Sequence, residues 1–362
     1  SDYTKRCYYN PYDVPSLLKN GDNTIGALVG TGFLHINRER YRKLVIAAGY
    51  PMLRLKMTVH YTDGSSEEIV TDSSWKTSPS AVTYSSVYGG ENFDANKIQN
   101  GWSRPTFNDN EWKRSVIISG PGGNMQAQED YPVHIDEIFK SIRIDSSRSY
   151  NYVYDFGQNI SGIIHLQVKG NKGYRVRITP AEILDDNHLP DQSASGKPYY
   201  WEYTLSGKGI EIWQPLFSYY GFRYTGVEVF DPAGHKVNVD ALQSLSLLSL
   251  HTQNDAPQVG NFSCSDTLFN KIFSLIRWGI RNNMSHVATD CPHREKLGWL
   301  EEAHLMGNSI QYNYDINTFY NKIIDDMQDA QLPDGMMPDI APEYVIFQNG
   351  FRYSPGWGSA CV

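Results

Sequence analysis

The stretch SDTLFNKIFSLIRWGI, at residues 265–280, marks the point where the apolar residues of this 362-residue chain change their spacing. Within it they recur every three or four positions, a spacing that places side chains on one face of an α-helix. That face consists of Leu268, Ile272, Leu275, Ile276 and Gly279, and it is widened by Phe269, Phe273 and Ile280. We predict a helix with Ser265 as its N-cap, packed between neighbours on this wide apolar face.

Before this stretch the chain has the alternation of β-strands. Every other residue from Leu53 to Tyr61 is apolar, and Gly64 follows at a position that favours a hairpin turn. A second β block, from about Ile138 to Leu250, repeats the alternation between short turns, and the polar segment Gly89–Asn110 predicts a surface loop. Closely spaced strands without helical periodicity are typical of antiparallel β-sandwiches.

Two further helices are predicted, one over Leu300–Tyr312 and one after Asp315. The apolar face of the second consists of Phe319, Ile323, Ile324 and Met327. Three helices are too few to cover one another's wide apolar faces. We therefore expect an incomplete all-α domain and a chain that is an excerpt of a longer protein. The changes of pattern divide the chain into residues 1–135, 136–255 and 256–362.

Composition and charge narrow the classes of function. A net charge of −8 at pH 7 argues against nucleic-acid binding, and no apolar run is long enough to span a membrane. The cysteines are far apart, so we expect free thiols, no metal site and no other cofactor; they are Cys7, Cys264, Cys291 and Cys361. Aromatic residues make up 13% of the chain, which suits a sugar site but also a β-sandwich core.

The stretch TDCPHREKLGWLEE, at residues 289–302, concentrates groups that catalysis uses. They are the carboxylates of Asp290, Glu295, Glu301 and Glu302, the cation of Arg294 and the ring of Trp299. Glycoside hydrolysis needs a protonated carboxyl group beside the leaving oxygen, and neighbouring carboxylates raise one another's pKa. The same acids could instead cap helix N-termini, and spacing by itself does not separate the two interpretations.

This stretch resembles the signature of the bacterial α-L-rhamnosidases, in which Asp-Cys-Pro-x-Arg leads through an acidic residue to Gly-Trp and a further acid. The resemblance extends to Tyr88–Asp94, Tyr154–Asn159, Ala181–Leu184 and Phe217–Tyr224. It implies two antiparallel β-sandwich domains followed by the first helices of an incomplete (α/α)6 barrel. It also implies an inverting glycoside hydrolase that removes terminal α-L-rhamnose.

Taken position by position, the resemblance implies that Glu295 is the general acid. The residues that match the lining of the sugar subsite are Asp290, Arg294, Trp299 and Glu302, and Trp357 matches an aromatic wall. The chain departs from the family in two ways. The family often has one more residue between the arginine and the acid, and it often has Asp where this chain has Glu302.

A second acidic loop, Pro333–Tyr344, follows the predicted third helix. We expect its Asp339 to reach the same pocket, the alternative being a solvent-facing connection. The resemblance places the general base in a later helix–loop pair, beyond residue 362, so we expect residues 1–362 alone to be inactive. A base within the chain would have to be Asp339 or Glu343.

Other interpretations stay open at this point. Glu301-x-x-His304 has the spacing of half a di-iron site, although the motif does not recur. Another inverting (α/α)6-barrel glycosidase and a non-catalytic carbohydrate-binding fragment are the alternatives in function. The expected partner is a rhamnose-containing oligosaccharide, polysaccharide or glycoside rather than a nucleic acid or a membrane. The resemblance implies a secreted or periplasmic protein, with the cytoplasm as the alternative.

Overall fold

The computed structural model of the protein describes residues 1–41, 49–196, 198–347 and 352–361. Strands dominate up to Asn254 and helices follow from Thr267, so the predicted order of β followed by α is confirmed. None of the helices in these ranges is long and apolar enough to cross a membrane. Cys7, Cys264 and Cys291 carry free thiols. The prediction for the side chain of Cys361 lies outside the described residues.

The strands, in chain order, are β1 (Arg6–Tyr9), β2 (Lys56–His60), β3 (Ser66–Val70), β4 (Lys76–Thr77), β5 (Val82–Ser86), β6 (Gly90–Asp94), β7 (Lys113–Arg114), β8 (Asn124–Ala127), β9 (Val133–Lys140), β10 (Arg143–Asp145), β11 (Tyr152–Lys169), β12 (Arg175–Ala181), β13 (Ile183–Leu184), β14 (Pro190–Asp191), β15 (Tyr200–Thr204), β16 (Ile210–Trp213), β17 (Tyr220–Phe230), β18 (Lys236–Val237) and β19 (Ser244–Asn254). The helices are α1 (Thr267–Asn283), α2 (Leu300–Leu305), α3 (Gly307–Gln311), α4 (Asn317–Ala330) and α5 (Pro355–Gly358). Short 3-10 turns occupy Pro15–Leu17, Ala95–Lys97, Ser193–Ser195, Val239–Ala241 and Ser359–Cys361.

One large sheet, in the order β5-β6-β15-β12-β17-β11-β19-β9, forms the body of the β part. The 18-residue strand β11 lies antiparallel to both β17 and β19. Its residues Ile164, Leu166 and Val168 are fully buried, as their alternation predicts, because successive side chains of a strand face opposite sides. The register with β17 shifts between Asp155 and Ile160, which gives β11 a bulge.

The first part of the chain contributes to this same sheet. β6 lies parallel to β15. The predicted domain limit after residue 135 falls within β9, which pairs with β19. The described strands thus differ from two separate antiparallel sandwiches, since one sheet contains strands from both predicted β-domains. The prediction of a surface loop that starts at Gly89 is wrong for β6. Its polar residues form a strand, with Glu91 buried, by pairing with a strand far along the chain, which local pattern does not reveal.

Glu91 shows how a polar strand tolerates this burial. Its side chain is fully buried, and its carboxylate accepts hydrogen bonds from the backbone N–H groups of Leu216, at 3.0 Å, and Phe217, at 2.7 Å. Burial raises the pKa of Glu91 to about 7, although these two hydrogen bonds oppose the shift. The contact joins β6 to the segment that leads into β17.

The helices agree with the predictions in position and differ in detail. The N-cap of α1 is Asp266 rather than Ser265, because the Asp266 carboxylate accepts the Leu268 N–H at 2.8 Å. The helix predicted over Leu300–Tyr312 is divided into α2 and α3. α4 buries Phe319 and Ile323 as predicted, whereas Ile324 is exposed.

Only the C-terminal part of α1 is packed against the sheet. Arg281 is buried there, with its guanidinium against Asp136, Glu137 and the Trp278 ring. Much of the predicted apolar face is exposed among the described residues, since Leu268 and Leu275 are 61% and 72% exposed, whereas Ile280 at the end of the face is buried against α4. The described residues therefore agree with packing at Ile280, and the packing of the rest of this face between neighbours stays a prediction.

Two glycines allow the β6–β15 pairing to be tested. A Cβ atom at Gly90 would lie 2.0 Å from the Tyr200 carbonyl oxygen, and its φ is +90°. Gly64 has a similar φ of +86° with nothing within 4 Å. We expect Gly64→Ala to lower the free energy of unfolding by about 1–2 kcal/mol through φ strain alone, and Gly90→Ala to cost about 3 kcal/mol or more. Urea denaturation measures both, and equal losses would contradict the close pairing.

Candidate active site

The acid loop, Asp290–Trp299, connects α1 to α2 and lies against the start of β17. A Cβ atom at Gly221 would come within 2.6 Å of the Pro292 Cγ atom and 2.8 Å of a Glu182 carboxylate oxygen. The acid loop therefore packs directly on the backbone of the sheet. Glycine is required in β17 at this point because the approach leaves no room for a side chain.

The second acidic stretch lies beside the acid loop. The Ala341 N–H donates to the Gly298 carbonyl at 2.9 Å, and the Leu300 N–H donates to the Asp339 carbonyl at 3.0 Å. A Cβ atom at Gly298 would lie 2.5 Å from the Ala341 oxygen, so the two backbones touch. The structure thus brings the two acidic segments together, one of the two arrangements that the sequence left open for Pro333–Tyr344.

Glu295 is held at both of its carboxylate oxygens. The Arg294 Nε atom lies 3.1 Å from Oε1, and the Trp299 indole N–H donates to Oε2 at 2.9 Å. The Glu295 side chain is 28% exposed, so its carboxyl group can meet a ligand from solvent. Arg294, at 41% exposure, lies on the outer side of the same pair.

Asp290 lies deeper than Glu295, with a side chain only 11% exposed. Its Oδ2 accepts the Cys291 thiol at 2.9 Å and lies 3.9 Å from an Arg294 nitrogen, while Oδ1 has no hydrogen-bond partner among the described residues. Burial raises the pKa of Asp290 to about 7, and the charge of neighbouring Glu295 adds to the shift. Near neutral pH the inner carboxyl group therefore retains a proton.

Aromatic rings form a wall beside these acids. The Trp299 ring is stacked on Phe347 with centroids 5.3 Å apart, and the Trp357 ring lies 5.7 Å from it at a tilt of 57°. Trp357 is carried by the short helix α5. The two tryptophans selected from the sequence are thus neighbours, and Phe347 is an aromatic member that the sequence analysis missed.

Glu302 and Asp339 differ in their environment. Glu302 lies in the first turn of α2, partly exposed, and burial together with the charges of Glu301 and Glu295 raises its pKa. Asp339 is 1% exposed, and its Oδ1 accepts the Ser354 N–H at 2.7 Å. Because Ser354 immediately precedes α5, this hydrogen bond fixes the helix that carries the aromatic wall.

Two residues that the sequence did not single out hold the acid loop from behind. The Lys296 side chain is buried, and its ammonium donates to the Val87 carbonyl oxygen at 2.8 Å. The Tyr88 hydroxyl donates to the Glu295 carbonyl oxygen. Lys296 was visible in the sequence only as one more charged residue of the loop, and its partners come from a distant hairpin turn.

No cluster of three or more His, Cys, Asp or Glu side chains placed to hold a metal occurs in the ranges that the structure describes. A cavity of about 820 Å³ touches the acid loop at Thr289, Lys296 and Gly298. Glu295 and Trp299 do not line it. The acids and the aromatic wall therefore form a shallower surface, separate from this cavity.

Comparison with known proteins identifies the family to which the chain belongs. Residues 1–137 match the model of the α-L-rhamnosidase N-terminal domain, residues 145–247 the bacterial α-L-rhamnosidase concanavalin-like domain, and residues 257–362 the six-hairpin glycosidase domain of bacterial α-L-rhamnosidases. These three domains are characteristic of one class of multidomain glycosidase. The chain belongs to the bacterial α-L-rhamnosidase family, as the resemblance of the acid loop predicted.

Individual relatives are similar over nearly the whole chain. An α-L-rhamnosidase of Formosa agariphila is 30% identical over 343 residues, which cover 92% of this chain and 35% of that protein. The structure of the Dictyoglumus thermophilum α-L-rhamnosidase has a TM-score of 0.84 at 30% identity, covering 99% of this chain and 39% of the other. That of Streptomyces avermitilis α-L-rhamnosidase, complexed with L-rhamnose, has a TM-score of 0.85 at 28% identity, with coverages of 99% and 34%. The chain spans about a third of the length of the curated relatives it matches.

The raised pKa of Asp290 predicts a pH-dependent stability. Between pH 4 and 7 the folded protein binds a proton at Asp290 that the unfolded chain releases, so the free energy of unfolding falls as pH rises through this range. Asp290→Asn removes that titration, and we expect the variant to gain stability relative to the parent from pH 4 to pH 8. Denaturant unfolding at a series of pH values measures the difference.

Asp155→Asn is the matched control for this experiment. Arg223 holds both oxygens of Asp155, at 2.8 and 2.9 Å, and lowers its pKa. Asp155 is therefore ionised in the folded protein throughout this range and in the unfolded chain above about pH 5, so its variant should differ from the parent by a nearly constant amount over pH 5–8. A flat difference for Asp290→Asn as well would contradict the raised pKa.

Proposed function

We propose that the protein hydrolyses terminal α-L-rhamnose from rhamnosides with inversion of configuration, with Glu295 as the general acid. One observation carries this proposal: the acid loop presents an outer carboxyl group beside an inner, proton-holding one, next to a wall of aromatic rings. Sequence similarity to α-L-rhamnosidases supports the sugar. The substrate is a rhamnose-containing oligosaccharide, polysaccharide or glycoside.

The acid pair explains how a proton is available at neutral pH. Asp290 holds a proton near neutral pH because burial raises its pKa to about 7, and in this proposal that proton passes to the neighbouring Glu295 carboxylate. Asp290 is the more buried member, so Glu295 is the one that can reach a glycosidic oxygen. As the bond to C1 stretches, Glu295 donates the proton to the leaving oxygen.

The surroundings suit a deoxy sugar in this proposal. Trp299 and Trp357, together with Phe347, cover the C–H face of the sugar ring and its methyl group at C6. An apolar surface at C6 gives a modest preference for this methyl group over a hydroxymethyl group. Arg294 and Glu302 are partly exposed and bind sugar hydroxyls. The Oδ1 of Asp290, which lacks a partner among the described residues, is a further acceptor in this proposal, whereas Asp339 is buried and its contact with the sugar stays a prediction.

The general base lies outside residues 1–362 in this proposal. An inverting enzyme needs a second carboxylate that activates water, roughly 6.5–9.5 Å from the acid. Of the two candidates within the chain, Asp339 is buried against Ser354, and Glu343 is held by Arg352 through both oxygens, at 2.6 and 2.9 Å. Neither offers an unengaged, exposed carboxylate to a water molecule.

The same reasoning extends to architecture and location. In this proposal α1 to α4 are the first helices of an (α/α)6 barrel, and further helices cover the exposed face of α1 that contains Leu268 and Leu275. The domain limits at residues 135/136 and 255/256 stay predictions. A secreted or periplasmic location, with the cytoplasm as the alternative, rests on family resemblance, and fractionation of producing cells tests it.

Removing the proposed acid tests the assignment. In the full-length protein as its gene encodes it, we expect Glu295→Gln to lower kcat on 4-nitrophenyl α-L-rhamnoside by about 10²–10⁴-fold, because the amide cannot donate the proton. Proton NMR of the first-formed sugar should show the inverted anomer in the parent. Glu68→Gln, an exposed carboxylate in β3, is the matched control and should leave kcat unchanged. An unaffected Glu295→Gln variant would refute the role of Glu295.

Residues 1–362 expressed alone provide a second test. Because the proposed base lies elsewhere, this chain is expected to release no 4-nitrophenol above the uncatalysed rate, although it should retain the acid loop. Enzyme-like turnover by residues 1–362 would place the base within them. Asp339→Asn and Glu343→Gln would then identify which of the two acts.

A further inference from the structure

Lys296 has an environment that is unusual for a lysine. Its side chain is 1% exposed, and no carboxylate of the described residues forms an ion pair with it. The ammonium instead donates to the carbonyl oxygens of Val87 and Tyr219. Burial lowers the pKa of Lys296 to about 7.

Four tyrosine rings surround this ammonium. They are those of Tyr88, Tyr199, Tyr219 and Tyr220, with centroids 5.9, 5.0, 4.3 and 5.4 Å from Nζ. Ring faces carry negative charge density and attract a cation within about 6 Å. The cage therefore replaces part of the hydration that the ammonium loses, without a countercharge that would pull it in one direction.

The two carbonyl acceptors come from separate segments of the β part. Val87 lies in the turn between β5 and β6, and Tyr219 immediately precedes β17. A single ammonium thus ties the acid loop to both segments. Tyr88, next to Val87, adds the hydrogen bond from its hydroxyl to the Glu295 carbonyl, so the peptide between Glu295 and Lys296 is held at its oxygen and through the following side chain.

The backbone at Lys296 is left-handed, with φ +55°. This conformation is unfavourable for a residue with a Cβ atom and is kept only where contacts compensate it. It turns the chain so that Lys296 enters the cage while Glu295 reaches Arg294 and Trp299. The direction of the Glu295 side chain is thereby linked to the position of Lys296 among the four tyrosine rings.

Filling an apolar pocket does not require a lysine. A buried cation loses hydration worth several kcal/mol, and an apolar side chain of the same length would avoid that loss. What the ammonium adds is directional: its N–H groups reach two carbonyls that methionine cannot bind. Its value must therefore lie in the geometry that it imposes on the loop.

We propose that Lys296 is a positioning residue, whose ammonium, held between the Val87 and Tyr219 carbonyls, keeps Glu295 aligned for proton donation. The inference rests on the proposed role of Glu295 as the general acid. Lys296 touches neither the sugar nor the reacting atoms. Its loss should therefore act on the proton-transfer step, where a displacement of about 1 Å costs up to about 10²-fold.

Leaving groups of different basicity separate this role from a merely structural one. A 2,4-dinitrophenyl rhamnoside needs little protonation, whereas a phenyl rhamnoside depends on the acid. In the full-length protein we expect Lys296→Met to lower kcat about 10–100-fold on the phenyl substrate and less than about threefold on the dinitrophenyl substrate, with KM nearly unchanged. Glu295→Gln should show the same selectivity in stronger form.

Matched variants make the outcome decisive. Lys296→Gln keeps N–H donors for the two carbonyls and should recover part of the loss; it also serves if Lys296→Met does not fold. Lys76→Met, which removes a partly buried lysine paired with Asp109 far along the chain from the acid loop, should leave both rates unchanged.

Each remaining result has one meaning. Equal losses on both substrates in either folded variant, or no loss in folded Lys296→Met, would overturn the positioning role. If Glu295→Gln itself shows no dependence on the leaving group, the acid assignment fails instead. Selective loss in Glu295→Gln without it in the Lys296 variants would reject only the present inference.

Discussion

A single buried contact, between the carboxylate of Glu91 and the backbone of residues 216–217, supports the arrangement of the acid loop. Glu91 belongs to β6, directly after the turn that contains Val87 and Tyr88, and the segment it binds leads to Tyr219. The Val87 and Tyr219 carbonyls, which accept hydrogen bonds from Lys296, therefore lie on either side of the contact that Glu91 makes. An uncompensated carboxylate would be costly at this depth, and the backbone N–H groups that satisfy it also fix the spacing of the anchors.

The two acids of the loop, Asp290 and Glu295, differ in how deeply they are buried. Asp290 is enclosed by the Cys291 thiol and the sheet, whereas Glu295 lies between Arg294 and the Trp299 indole at the surface. Desolvation favours the protonated form of the inner group, and the outer group retains access to a ligand. Two chemically similar residues, a few positions apart, thus differ in their access to solvent because one is more deeply buried than the other.

The aromatic wall depends on the same kind of support. Trp299 belongs to the acid loop, whereas Trp357 is placed by α5, whose approach is held through the Ser354–Asp339 hydrogen bond. Asp339 in turn belongs to the stretch that pairs with Gly298 and Leu300. Backbone pairing between these two loops therefore sets the distance between the rings.

The sequence by itself determined the local features. The alternation around Ile164 predicted β11, the helical spacing around Ile272 predicted α1, and the composition of residues 289–302 pointed to the acid loop. These signals are local because strands and helices impose their own periods on neighbouring residues. The resemblance of the motif around Glu295, together with that of several other stretches, also predicted the family, and the matches to three domain models of that family confirm it.

Tertiary structure decided what lies beside what. The polar strand β6 lies in the large sheet through its pairing with the distant β15, and the apolar face of α1 is buried at Ile280 and exposed at Leu268 and Leu275 among the described residues. The pKa of Asp290 and the cage around Lys296 depend on groups brought together from distant segments. Burial and desolvation depend on the whole environment of a residue in space, whereas the period of a sequence records only which residues share a face.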